Sequence, residues 1–85
     1  MKIYDNEGKT WDRYTVIIEG WHLDKSCEAL GLSDNCDSPQ GFSQFGDVYE
    51  GKHLGKIISF NNLPDNVQNH IIKILKLDWI FNQIA

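Results

Sequence analysis

The sequence predicts an α+β domain: a small three-stranded antiparallel sheet, a C-terminal helix packed on one face, and a long loop before the last strand. Three features carry that expectation. "DRYTVIIEG" alternates Tyr14, Val16 and Ile18 with Thr15, Ile17 and Glu19, which is the two-residue period of a strand. "NNLPD" reads as a helix start, and it is followed by apolar residues every three or four positions. Between the two lies "DSPQGFSQFGDVYEGKHLGK", Asp37 to Lys56, which holds neither period for more than a few residues.

The strands come first. Ile17 makes the middle of residues 14–19 apolar on both sides, which predicts either a central strand or one with a face that meets a partner. "CEALGLS" as a strand puts Leu30 and Leu32 on one face and has Gly31 as a candidate bulge, although Glu-Ala-Leu also suits a helical turn. "GKIISF" is the third strand, ending at the polar pair Asn61 and Asn62. In the helix, Asn62 is the expected cap and Pro64 falls in the first turn, where its missing N–H costs nothing. Asp65 meets the positive end of the dipole. Val67, Ile71, Ile74, Leu77, Phe81 and Ile84 form one stripe, widened by Ile72, Leu75, Trp79 and Ile80. It runs either as one helix or with a second helix starting at Asp78. A stripe this wide exceeds what three strands can cover, so a homodimer through the C-terminal segment is expected. Trp11, Trp21 and Trp79 are expected in the core or in that dimer seam.

Residues 1–85 read as a single domain, with no internal repeat or linker. A chain of this length buries only roughly 60–65% of its unfolded surface, so each large apolar side chain matters. The composition, 41% hydrophobic and 24% charged, is that of a folding chain. The net charge of −4 opposes direct binding of nucleic acid through a basic face. With no apolar leader and no run long enough to span a bilayer, a cytoplasmic protein that does not enter a membrane is expected. Cys27 and Cys36, eight residues apart, are then expected as free thiols.

Chemical motifs are sparse. His22, Cys27, Cys36, His53 and His70 lack the paired spacing of a zinc site. "SDNCDSPQG" places Cys36 where a calcium loop requires oxygen. "GKHLGK" resembles a phosphate loop only superficially: the spacing between its glycines is short, it lacks the hydroxyl residue after Lys56, and it leads into a strand. Neither metal nor cofactor is expected, and no nucleophile–base signature marks an enzyme. A weaker reading remains, in which Lys52, His53 and Lys56 form a positive cluster able to hold an anion, with Trp21 or Tyr49 stacking a base.

Charge is distributed unevenly. Residues 24–50 carry six acids against Lys25 alone, whereas residues 51–76 carry four lysines against Asp65. In the long loop, Ser38-Pro39-Gln40-Gly41 suits a type I turn. Phe42 and Phe45, three apart, are expected to pin the loop to the core. Asp34, Asp37, Gln40, Gln44, Asp47, Tyr49 and Glu50 are left as a partner-binding surface whose acids would steer toward a basic protein.

The segments "YDNEGKTWDRYTVII", "SPQGFSQFG", "GKHLGK" and "LPDNVQNHIIK" together resemble a family of small uncharacterised proteins encoded by bacteriophages and other mobile elements. Its opening pattern is Tyr-Asp-Asn, Gly-Lys-Thr, Asp-Arg-Tyr-Thr. The resemblance covers most of residues 1–75, departs from the pattern at Glu7-Gly8, and excludes "LDWIFNQIA". It implies no activity, but it does imply a phage-like origin and a bacterial cytosol. The expected function is therefore a non-enzymatic, stoichiometric inhibitor of a host defence system, of the anti-CRISPR or anti-restriction kind, whose partner is a host protein such as a nucleic-acid-binding enzyme. The alternatives are a small-ligand or nucleotide-binding sponge and a structural or assembly protein.

Overall fold

The computed structural model describes residues 2–21 and 25–75. Five strands and one α-helix follow in chain order: β1 Lys2–Asp5, β2 Tyr14–Trp21, β3 Cys27–Leu32, β4 Ser43–Val48, β5 Lys56–Ile58 and α1 Asp65–Leu75. The strands form one antiparallel sheet in the order β4-β3-β2-β1-β5. The α+β class is as expected, but the sheet has five strands where three were predicted. β1 is only four residues long and gives too short a window for a period to register. β4, "SQFGDV", has one large apolar residue facing each side of the sheet, and pairing with β3 rather than burial makes it a strand.

The expected central strand is indeed central, since β2 lies between β1 and β3. No bulge occurs at Gly31, which pairs regularly with Thr15 and Gln44; the irregularity falls in β2, between Ile17 and Trp21. The core lies on one face. Ile3, Tyr14, Val16, Leu30 and Leu32 from the sheet meet Leu63, Val67 and Ile71, with Cys36 closing one end. Val16 sits between Ile3 and Leu30 in the cross-strand register, so β1, β2 and β3 present one apolar row to α1.

The helix begins later than the sequence predicts. Asn62 ends a 3-10 turn, Phe60–Asn62, where its side chain and that of Ser59 close a reciprocal cap. The Pro64 carbonyl accepts the first helical bonds, from the amides of Val67 and Gln68 at 3.0 Å each. Pro64 thus precedes the helix proper, and Asp65 opens its first turn. Trp11 is 62% exposed and anchors nothing in the core. The predicted continuation of the apolar stripe, Trp79 and the C-terminal dimer seam all lie outside the described residues, as does the side chain of Trp21.

Between β4 and β5 the chain must travel from one edge of the sheet to the other. It crosses the face opposite α1, makes a 3-10 turn at Lys52–Leu54, and re-enters the sheet through Gly55. Gly55 has φ +101°, and a side-chain carbon there would collide with the carbonyl of Asp5, so only glycine fits this return.

Candidate functional site

The predicted partner-binding residues do not form one patch. Asp34 and Asp37 sit in the turn after β3, beside the start of α1. There the Asn66 side-chain amide donates to the Asp34 carbonyl and to Asp37 Oδ1, each at 3.0 Å. The Asn66 hydrogen bond holds the Asp37 carboxyl below its ordinary value. Asp34 Oδ2 lies 3.9 Å from Arg13 Nη1. The predicted type I turn is present, its Gly41 amide donating to the Ser38 carbonyl at 2.8 Å, and Gln40 is exposed on it. Between Asp37 and α1 lies a polar depression of about 460 Å³ lined by Asn66, Asn69, His70 and Lys73.

Asp47 belongs to the other end of β4, five positions beyond the Phe42 that meets Ser33. Its cross-strand neighbour is Glu28 of β3, and in the backbone register Glu28 in turn faces Glu19 of β2. Sequence reading missed Glu28 as part of this surface, because its neighbour is set by strand pairing across a separation of nineteen residues. Like charges directly opposite each other across strands are unfavourable. Phe45, expected in the core, is 49% exposed beside them, and Tyr49 is 56% exposed. Phe42 lies closer to the fold, with its ring edge 3.5 Å from the position a Gly31 side chain would take. On the face away from α1, the small residues Ala29, Gly31 and Gly46 leave a shallow groove of about 180 Å³ bordered by Thr15, Phe42, Gln44 and Val48.

Glu50 leaves this surface. Its carboxylate turns inward under the crossover, where Oε2 accepts hydrogen bonds from the Tyr4 hydroxyl at 2.6 Å and the Lys2 ammonium at 2.9 Å, while the Cys27 thiol donates to Oε1 at 3.6 Å. The Tyr4 hydroxyl first, and the Lys2 ammonium second, hold the Glu50 carboxyl below its ordinary value. Tyr4 is pushed up by its bond to the same carboxylate, and Cys27 by burial and then by that carboxylate. A thiol shifted upward is a poor nucleophile, so this cluster ties the crossover to β1 and β3 and is not an activated cysteine. The Glu50 charge is thus engaged within the fold, as the Asp37 carboxylate is by Asn66.

The proposed anion ligands Lys52 and His53 are exposed on the 3-10 turn, and Lys56 Nζ lies 3.6 Å from Glu7 Oε1. Cys27 and Cys36 are both free and buried. Among the described residues no three His, Cys, Asp or Glu side chains converge to hold a metal, and no helix is long and apolar enough to cross a membrane. No family model, curated protein or solved structure matches the chain.

Proposed function

We propose that the protein acts by stoichiometric binding of another protein, through the exposed edge of β4 and the half-buried Glu28 beside it on β3. The observation that supports this most is the in-register pair Glu28 and Asp47 next to exposed Phe45. Acids concentrated beside an aromatic suit a basic partner surface with one apolar contact: the charges steer the encounter and the ring provides the buried centre. Tyr49 lies exposed just past the end of the same strand, whereas Gln44 lies on the opposite face of β4, beside the groove over Gly31. The resemblance to phage-encoded proteins supports a bacterial host as the source of the partner, and a basic nucleic-acid-binding enzyme of a defence system as its class. Two free buried thiols suit the reducing cytosol of such a host. No nucleophile–base pair or metal cluster enters this reading, which is of a binder and not of a catalyst.

Affinity capture from a bacterial lysate tests it, with the wild type compared against a Glu28→Lys/Asp47→Lys variant at low salt and at about 0.5 M salt, where the screening length shrinks to a few ångströms. The expected result is a partner retained by the wild type at low salt and lost both in the variant and at high salt. A partner held equally by both proteins, or indifferent to salt, would move the binding surface elsewhere.

A further inference from the structure

We infer that β4 is a self-pairing edge: two copies of this chain join β4 to β4 in antiparallel fashion, centred on Phe45, to give one continuous sheet. This goes beyond the partner-binding reading and does not depend on it.

The backbone orientation follows from a single hydrogen bond. The Ser33 amide donates to the Phe42 carbonyl at 3.0 Å, so Phe42 faces β3 with its backbone. In an antiparallel ladder this alternates. Gln44, Gly46 and Val48 therefore turn their N–H and C=O groups toward β3, whereas Ser43, Phe45 and Asp47 turn theirs toward the other side, where β4 is the edge of the sheet among the described residues. Natural edge strands are guarded by Lys, Pro, bulges or extreme shortness. β4 has six residues in unbroken register with β3, no Lys, Arg or Pro, and a single charge at Asp47. All of its residues but Val48 are exposed.

The occupant is selected by register. A two-fold symmetric pair requires that whatever residue i meets, its counterpart meets i. Centring on Phe45 sets Phe45 against the Phe45 of the second copy, an aromatic pair next to the core. It sets Ser43 against Asp47, a hydroxyl donor facing a carboxylate. On the opposite face it sets Gln44 against Gly46, where nothing lies within 4 Å of the missing side chain, and Phe42 against Val48. Shifting the centre to Gly46 would place Asp47 against the Phe45 ring, and shifting it to Asp47 would oppose two carboxylates. Only the Phe45-centred register uses the whole strand without such a conflict.

Sedimentation equilibrium of the full chain tests this. The wild type is expected to dimerise with a Kd on the order of 100 µM, as suits a small interface. Phe45→Lys, which opposes two ammonium groups at the centre, is expected to be monomeric. Ser43→Lys, which faces Asp47 of the second copy, should tighten the dimer about two- to fivefold, and Ser43→Asp should loosen it by a similar factor. The Phe45 amide should also gain protection from hydrogen exchange as concentration rises. A wild type that stays monomeric to about 1 mM overturns the inference. So does a Phe45→Lys variant that dimerises as well as the wild type, or a Ser43 pair that shifts the constant in the same direction.

Discussion

β3 and β4 are neighbours of equal length, paired residue for residue, yet their environments are opposite. In "CEALGL" the residues Cys27, Ala29, Leu30 and Leu32 are all buried, whereas in "SQFGDV" none is. β3 has α1 over Leu30 and Leu32 on one face and Glu50, on the crossover, over Cys27 on the other. Among the described residues β4 has a strand neighbour on one side only and is held by its ladder to β3. The difference shows that strand formation and burial are separable: β4 draws its order from the strand beside it and keeps its side chains for solvent or a partner.

The contrast can be broken most severely in the core. Leu30→Ala or Ile71→Ala should lose about 2–5 kcal/mol, because both side chains are fully buried in one small core. Against a total of about 5–15 kcal/mol for a domain, chemical denaturation should show either variant close to unfolding. An equally drastic cut on β4, Phe45→Ser, should cost no more than about 1 kcal/mol in the same measurement, since half of that ring is already in water.

The crossover lies between these extremes. Glu50→Ala should cost about 2 kcal/mol, as expected for the loss of hydrogen bonds to a charged group, and thermal melts would show it. The pH dependence has a defined sign. Tyr4 and Lys2 depress the Glu50 carboxyl in the folded state, so its stabilisation is complete above the unfolded value of about 4.3 and disappears as pH falls through the lower folded value. Melting temperatures of the wild type and Glu50→Gln should therefore converge on acidification below about pH 4. Melts that stay parallel would show that the carboxylate charge contributes nothing there.

The smallest effect distinguishes the two sides of β4 itself. In dilute solution the amides of Gln44 and Gly46, directed at β3, should exchange more slowly than those of Ser43 and Phe45, directed away from it. Equal rates would contradict the ladder phase set by the Ser33–Phe42 hydrogen bond.

Much of this architecture is legible in the chain. β2, β3 and α1 each bury a regular set of residues, so Val16, Leu30 and Val67 announce their elements by spacing alone. The type I turn at Ser38–Gly41 is equally local, because proline and glycine set their own backbone angles. β4 left no such trace, since only Phe45 and Val48 in it are large and apolar and neither is buried. The candidate site was legible only in part: Asp47 and Tyr49 do face outward, but whether Glu50 was a surface charge depended on where the crossover would lie.

The sequence by itself determined the α+β class, the central position of β2 and the excess of acid in the middle of the chain, because spacing and composition act over a few residues. Only the tertiary structure decided that Glu28 would join Asp47 and that Glu50 would turn in toward Tyr4 and Lys2. It also left Phe45 on an open edge. Each of these depends on contacts between residues far apart in the chain, made when strand order and the path of one crossover are chosen for the molecule as a whole.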